Sequence, residues 1–591
     1  MNKTYIFLIL IAQINYLYLS PIENKQRKLN DRTEDIVIIH LNDVHCGLND
    51  TIGYDGFVLY RNELKEKYNY VISVDVGDHA QGGALGAITE GEAIMEIMNQ
   101  IKFDVITVGN HEFDYGIEQL NKLNSQMTTK YICANFCYKK DKTNFFDEAY
   151  KIIEADNIKI AFIGIVTPLT YSKTYISTLK DENGEAKYDL LSNNDELITT
   201  IQGYIDEVRN DKNADYVILL THIGMNVEDY TSNGLISKLK NVDAVLDGHT
   251  HRVYNTTSKD LENKDVYFSQ TGTKLANIGE LIIKKDGTIS TRNIEEVPEP
   301  TNQSGAKKIS RGKVDRWVDT DMNNFINKLW ENHGEKLNYH VGNVDYDLRI
   351  RPENSSDSHA IYCRYKECTL GNLVADAFKT VVSADASIVN GGAIRSSLLK
   401  GEIKTKDIIE VMPFYNSVYV KEVTGQCILD ALEFGVRQMP NAFGGFPQVS
   451  GITFNVKNYI NSSVVTDSNG MFIKVDGERR VYNVKINGEN LDLNKKYNLS
   501  CSDFILAGGD GYTMFSDFKV VNESLFADSD ALSYHIHSNL NGTVPEMYKN
   551  ELGRINIVTE EEEEFIEVKK SYDKHLQYYI KNLLLILIYF I

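Results

Sequence analysis

The chain has 591 residues, of which 42% are hydrophobic and 25% are charged, a balance that is typical of globular proteins and excludes bulk disorder. Because single hydrophobic cores stop growing near about 250 to 300 residues, this length predicts two large domains. The formal net charge of -21 disfavours a nucleic-acid polymer as partner, since binding a phosphate backbone needs a basic surface, but it permits a small anionic substrate.

The first 20 residues predict a secretory signal peptide. They contain Lys3, an apolar run over residues 5–12 and a junction at Ser20. The run is shorter than the roughly 20 apolar residues of a transmembrane helix. Asn-x-Ser/Thr sequons, such as the one at Asn255, agree with a secreted glycoprotein.

From Ile36 onward, short β-branched runs alternate with longer amphipathic segments, which is the pattern of strands joined by helices. We therefore predict an α/β fold with an N-terminal domain at residues 33–315, a linker helix within 316–338 that starts at Trp317, and a second α/β domain at 339–558. The predicted strands of the first domain cover residues 36–40, 70–76, 105–108, 158–165, 216–221 and 242–246. In the second domain we predict a helix at 370–382 and a strand at 386–389.

Residues 559–591 predict a processed or exposed tail. An acidic run at 560–564 leads through a polar spacer to the apolar residues 583–591. This order fits a signal for a GPI-type lipid anchor, and it fits equally a short hydrophobic tail that is retained or cleaved. Either way we expect a secreted or cell-surface protein.

Ligand-type side chains follow five of the predicted strands. Loops that leave the carboxyl ends of strands in an α/β sheet converge on one edge, so these side chains are expected to meet. One such residue is ordinary, but five loops together indicate a site for divalent metal ions, which imidazole and carboxylate groups bind well. The residues are Asp43, His45, Asp78, Asn110, His222, His249 and His251.

These loops resemble the motifs of the calcineurin-like metallophosphoesterases, and within them the 5′-nucleotidases. The matching segments are residues 40–45 (HLNDVH), 75–78 (DVGD), 109–114 (GNHEFD), 221–222 (TH) and 248–251 (GHTH). The resemblance implies a four-layer α/β first domain holding two ions, zinc by family habit with manganese or another divalent ion as the alternative.

By the same resemblance, Asp43, His45, Asp78 and His251 hold one ion, and Asp78, Asn110, His222 and His249 hold the other. The implied chemistry is hydrolysis of a phosphoester by water activated between ions about 3.5 to 4 Å apart. His111 is then the residue that stabilises the transition state or protonates the leaving group, and Asp114 orients its ring.

The second half of the chain resembles the nucleotide-binding domain of the 5′-nucleotidases. Physically, arginines grip phosphate oxygens, two aromatic rings sandwich a base, and a carboxylate accepts ribose hydroxyls. The resemblance implies that Phe414 and Phe504 stack the base and that Asp510 holds the ribose. Arg364, Asn390 and Arg395 complete the pocket.

Seven cysteines in an oxidising compartment make close pairs candidates for disulfides. Cys363 and Cys368 form the best pair, and a bridge there would rigidify the loop that presents Arg364. Cys133 and Cys137 form a weaker pair.

We therefore expect removal of phosphate from nucleoside 5′-monophosphates outside the cell, such as AMP to adenosine and phosphate. The motifs leave open a secreted apyrase that acts on ATP and ADP. A catalytically inactive relative that works in binding or adhesion is disfavoured, because every ligand position is filled. The expected partners are a nucleotide and, through a lipid anchor, a membrane; the sequence leaves a homodimer open, and rotation between the domains would place a hinge near residues 319–337.

Overall fold

A computed structural model describes residues 32–48, 51–170, 179, 185–191, 193–225, 231–311, 314–353, 360–467 and 469–560. The predicted signal peptide and residues 561–591 of the predicted tail lie outside these ranges. Within them, every helix is too short or too polar to cross a bilayer.

The first domain contains two six-stranded mixed sheets. In spatial order, the first sheet consists of Ile289–Ile294, Ile278–Ile283, Ile36–Leu41, Val71–Asp75, Val105–Thr107 and Tyr131–Ile132. The second consists of Val253–Lys259, Asp265–Thr271, Ala244–Asp247, Tyr216–His222, Ile158–Val166 and Tyr150–Ala155. Each of the six predicted strands is present with its ends within two residues of the prediction.

The two sheets pack face to face with helices on their outer sides, which confirms the four-layer α/β prediction. Alternation of side chains along a strand explains the layers. In the first strand, Ile36 and Ile38 lie in the core between the sheets, whereas Val37 and Ile39 lie in the outer core. The described helices of this domain are Gly53–Lys67, Ala84–Ile88, Glu92–Ile101, Gly116–Gln126, Asn194–Asp206 and Ser232–Ile236.

The connection between the domains differs from the prediction of a helix that starts at Trp317. Strands Ala306–Arg311 and Val314–Asp319 form a hairpin that includes Trp317. The helix starts at Thr320, where the Asp319 carboxylate accepts the N–H of Met322 at 2.9 Å, and continues to Asn332. Pairing in the hairpin keeps the chain extended as far as Asp319, and the cap then starts the helix at Thr320. A short helix, Gly334–Leu337, follows.

The second domain is built on a five-stranded and a four-stranded sheet. The first runs Pro447–Ser450, Ala386–Asn390, Lys496–Ser502, Ser417–Thr424, Val520–Ala527, and the second Glu489–Asn490, Val481–Ile486, Ile452–Lys457, Ile555–Val558. Its described helices are Thr369–Val381, Thr405–Val411, Gly425–Gly435, Asp503–Leu506 and Asp528–Tyr534. The helix predicted at 370–382 and the strand predicted at 386–389 are each present within one residue.

Smaller pairs of strands complete the described structure. They are His340–Val344 with Gly401–Lys404, Val464–Thr466 with Phe472–Val475, and Cys137–Tyr138 with Tyr188–Asp189.

Candidate metal centre and interdomain cleft

The predicted ligands meet at one edge of the two sheets of the first domain. Parallel pairing of the central strands brings their carboxyl ends to the same side. Asp43, Asp78 and Asn110 follow strands of the first sheet, and His222 ends a strand of the second. All are at most 2% exposed. The structure therefore builds one buried cluster from loops of both sheets.

The backbone at this edge is strained where ligands are presented. Non-glycine residues rarely adopt positive φ, and such residues cluster at functional sites. Five of the seven predicted ligands do so: Asp43 (51°), His45 (46°), Asp78 (56°), His249 (81°) and His251 (57°). This concentration supports a functional role for the loops.

One part of the cluster joins two imidazole rings and a carboxylate. His45 Nε2 and His251 Nε2 lie 3.0 Å apart, and His251 Nε2 lies 3.4 Å from Asp43 Oδ1. His45 Nδ1 lies 3.0 Å from the carbonyl oxygen of Gln81, which fixes it as the N–H donor and leaves Nε2 unprotonated. Two ring nitrogens that face each other beside a carboxylate suit a shared cation.

A second part of the cluster is centred on Asp78. His222 donates from Nδ1 to the carbonyl of Val76 at 2.7 Å. Its buried Nε2 lies 2.9 Å from Asp78 Oδ2 without a hydrogen bond in the described structure. His249 Nδ1 lies 2.8 Å from the Asn110 side-chain oxygen.

The residues present fit two divalent ions. Asp43 and Asp78 are buried carboxylates, which are unfavourable without a compensating cation. The atoms of Asp43, His45 and His251 form one compact donor group, and those of Asp78, His222 and His249 form another. Imidazole, carboxylate and amide oxygen donors of this kind suit divalent first-row metals.

His111 and Asp114 form a hydrogen-bonded pair beside this cluster. His111 Nδ1 lies 2.6 Å from Asp114 Oδ2, and the side chains are 12% and 6% exposed. Burial favours a neutral His111 ring, but the carboxylates of Asp114 and Asp78 outweigh it and raise the pKa of His111. Burial also raises the pKa of Asp114, against the opposing effect of His111. This arrangement holds the ring in one orientation.

The buried carboxylate of Glu112 was not singled out from the sequence. Its two oxygens accept four backbone N–H groups, from Asp78 and Gly109 at 2.7 Å each, from His79 at 2.9 Å and from Ala80 at 3.1 Å. Glu112 therefore ties together the loops that carry Asp78 and Asn110. Its place inside the 109–114 motif was the only sequence signal.

Asn42 holds the carboxylate of Asp43 in place. Its amide donates to Asp43 Oδ2 at 2.6 Å, and its oxygen accepts the N–H of Thr271 at 2.8 Å. The contact joins the first sheet to the strand Asp265–Thr271 of the second.

In the second domain, Asn390 and Asp510 are in direct contact. The Asn390 amide donates to Asp510 Oδ2 at 2.8 Å. Asp510 has φ of 54° and lies between Gly508 and Gly511, which also have positive φ. The Phe504 ring packs against Gly509, where an added Cβ would lie 2.5 Å from it. The glycine-rich loop thus presents Phe504 and Asp510 together.

Phe414 lies at the contact between the domains. Its ring centroid is 5.8 Å from that of His111 and 5.6 Å from the Arg395 guanidinium carbon. Within the described part of the chain, Phe414 and Phe504 do not form a ring pair with each other. The second domain therefore places Phe414 and Arg395 beside the residue predicted to act in catalysis.

A cleft of about 370 Å³ opens beside Arg395. It brings the predicted ligands His45 and His251 together with the predicted substrate residues Arg364 and Arg395. Other cations, Lys274 and Arg351 among them, also line it and were not predicted from the sequence.

One of the two predicted disulfides is present and the other is not. Cys363 and Cys368 form a disulfide next to Arg364. The weaker prediction of a bridge between Cys133 and Cys137 is wrong, since both are free and buried. Their sulfur atoms point to different acceptors, the side-chain oxygen of Asn135 and the carbonyl of Asp189.

Comparison with known proteins identifies both halves of the chain. Residues 36–253 match the calcineurin-like phosphoesterase family, and residues 340–517 match the 5′-nucleotidase C-terminal domain. The chain is a hydrolase of the 5′-nucleotidase family. The matched domains and the names of its relatives support a phosphoric monoester hydrolase.

The chain is 25% identical to the trifunctional nucleotide phosphoesterase protein YfkN of Bacillus subtilis, over 92% of this chain but only 37% of that protein. It is 24% identical to a 5′-nucleotidase of Vibrio cholerae, over 86% of this chain and 91% of that one. A 5′-nucleotidase precursor from Thermus thermophilus superposes with a TM-score of 0.72 at 22% identity, over 89% of this chain and 99% of that one. At this identity the superposition shows the shared fold.

Proposed function

We propose that this hydrolase removes the phosphate from nucleoside 5′-monophosphates, with AMP as a substrate, and that it acts outside the cell. The observation that carries the proposal is the contact of His111 with Phe414, beside Arg395. An aromatic ring and a guanidinium from the second domain suit a nucleotide, and they adjoin a cluster suited to phosphoester chemistry.

In this proposal, the residues divide the work between binding and chemistry. Phe414 and Phe504 stack the base, Asp510 accepts the ribose hydroxyls, and Asn390 keeps the Asp510 carboxylate in place through its hydrogen bond. Arg364 and Arg395 bind the phosphate. The disulfide of Cys363 and Cys368 limits the motion of the loop that carries Arg364.

Asp43, His45, Asp78, Asn110, His222, His249 and His251 would hold two divalent ions, with zinc the first choice. Bound ions in such a site lower the pKa of water and neutralise charge on phosphoryl oxygens. His111 donates a hydrogen bond from Nδ1 to Asp114, so that a proton carried on Nε2 can stabilise the phosphoryl group or pass to the leaving ribose oxygen. The fixed ring orientation reduces the entropy lost on reaching the transition state.

The proposal is tested by phosphate release from AMP, ADP, ATP, UMP and UDP-glucose with the purified protein. We expect AMP hydrolysis that chelation abolishes and that zinc or manganese restores. Asp78→Asn should lose both activity and bound metal, because in this proposal Asp78 binds both ions. Asp211→Asn, which changes an exposed carboxylate of the same domain, is the matched control.

A folded, metal-loaded protein that releases no phosphate from any of these nucleotides would contradict the proposed activity. Full AMP hydrolysis by metal-loaded Asp78→Asn would instead contradict the shared role of Asp78. The proposed location is tested separately by assaying AMP hydrolysis on intact cells, in their medium, and after treatment with a phospholipase that cleaves GPI anchors.

A further inference from the structure

The interdomain cleft is basic although the chain as a whole is acidic. The chain contains 83 acidic and 62 basic residues. Around the cleft the proportion is reversed, with Lys274, Arg351, Arg364 and Arg395 against the single carboxylate of Glu410. Arg349 also lines the cleft, but its charge is paired with carboxylates outside it. Cations gathered in a concave site raise the local concentration of anions. The cleft is therefore suited to a highly charged anionic ligand.

Arg351 differs from its neighbour Arg349 in how its charge is balanced. Arg349 Nη2 lies 2.7 Å from Asp347 and 3.4 Å from Glu353, so carboxylates compensate it. Arg351 is half-buried, and within the described part of the chain no hydrogen bond or ion pair holds its guanidinium. Burial lowers the pKa of Arg351. A desolvated cation without a partner is unfavourable unless a ligand supplies the anion.

The guanidinium of Arg351 faces the same space as that of Arg395. Burial is the main cause of the lowered pKa of Arg395, and the charge of Arg351 adds to it, whereas Asp78 and Asp114 oppose it. Both arginines line the cleft with His251. A nucleoside monophosphate carries one phosphoryl group, which in the proposed function is bound by Arg395 at the metal ligands. Such a substrate has no second phosphoryl group to place beside Arg351.

We propose that Arg351 binds a second phosphoryl group of the substrate, next to the one bound by Arg395, and so determines how well diphosphates are accepted. This inference rests on the proposed function and extends it from monophosphates to nucleoside diphosphates. With ADP, water attacks the terminal phosphorus, the bond to the bridging oxygen breaks, and AMP and orthophosphate are released. The AMP oxygen that leaves takes up a proton.

The test compares kcat/KM for ADP, from its initial rate of disappearance, with kcat/KM for AMP. The wild type, Arg351→Gln, Arg351→Lys and the matched control Arg349→Gln are measured at one ionic strength. Because a hydrogen bond to a charged group contributes enough free energy for about a tenfold or larger change, Arg351→Gln should lower the ADP-to-AMP ratio by about 10-fold or more. Arg351→Lys should restore part of the ratio, and Arg349→Gln should keep it within about twofold of the wild type.

The outcomes separate this inference from the function on which it rests. A wild-type protein that hydrolyses neither nucleotide would overturn the proposed function. A wild type that hydrolyses AMP but not ADP, or an Arg351→Gln variant with an unchanged ratio, would overturn the role of Arg351 alone. A structural effect of the substitution would lower both values together and leave the ratio unchanged.

Discussion

Replacing Glu112 with glutamine should loosen the metal centre without touching a predicted ligand. One carboxylate oxygen accepts the N–H groups of Asp78 and Gly109, and the other accepts those of His79 and Ala80. Glutamine keeps one oxygen and replaces the other with an NH2 group. In either orientation, two of the four buried N–H groups then face a donor.

The magnitude follows from the two hydrogen bonds that are lost. A buried donor left without an acceptor costs about 1 to 3 kcal/mol, so Glu112→Gln should cost about 2 to 6 kcal/mol of unfolding free energy. At about 2 °C per kcal/mol for a large domain, the melting temperature of the first domain should fall by at least about 4 °C. Partners that orient ligands typically contribute 10- to 100-fold to metal affinity, so bound metal should also be lost more easily.

The assay is calorimetric unfolding with and without chelator, together with metal analysis after dialysis. In chelator, the shift in melting temperature reports the hydrogen bonds alone. Glu118→Gln is the control, because Glu118 is an exposed carboxylate six residues further along the chain. If Glu112→Gln and Glu118→Gln have the same melting temperature in chelator and retain the same amount of metal after dialysis, the positioning role of Glu112 is wrong.

Further predictions concern the catalytic pair, a buried acid and the disulfide. His111→Asn should lower phosphate release by about 10²- to 10⁴-fold while metal content stays at the wild-type level, and an equal loss of metal would mark His111 as a ligand instead. Burial raises the pKa of Asp528 to about 8, so the folded protein binds its proton more tightly than the unfolded chain and stability falls as pH rises from about 4 to 8. In urea unfolding, Asp528→Asn should therefore be more stable than the wild type at pH 8 and equally stable near pH 4. Parallel profiles of stability against pH would contradict this. Replacing both Cys363 and Cys368 by serine should raise KM for AMP more than it changes kcat. Unchanged steady-state kinetics would show that the disulfide has no role in substrate binding.

The features that the sequence predicted well are local ones. Asp43 and His222 follow or end β-branched strands whose alternation is visible in the residues themselves, so their meeting at a sheet edge follows from parallel pairing. The start of the helix at Thr320 was missed because Trp317 and Val318 fit a helix or a strand equally, and the pairing in the hairpin decides between them. For the site, the motifs predicted a metal cluster, but the burial of Glu112 depends on loops brought together by the fold.

Contacts between the domains could not be predicted from the sequence, because they too depend on how the chain folds. Nothing local to Arg351 indicates that its neighbour Arg349 is compensated by carboxylates while Arg351 faces the cleft. The approach of Phe414 to His111 joins residues that are about 300 positions apart, and it depends on how two folded domains pack. Pattern and periodicity describe single elements, whereas these contacts are properties of the assembled chain.

The packing of the connecting helix narrows where the two domains can move relative to each other. Met322, Ile326 and Leu329 of the helix Thr320–Asn332 lie in the core of the first domain. Pulling one such side chain from a core costs about 1.5 to 3 kcal/mol, so this helix moves with the first domain. Leu337, by contrast, lies in a small apolar cluster with residues of both domains. A rotation that keeps the first core intact would therefore occur after Leu329, at His333 between the two helices or at Asn338 after the second one. This is a shorter segment than the predicted 319–337.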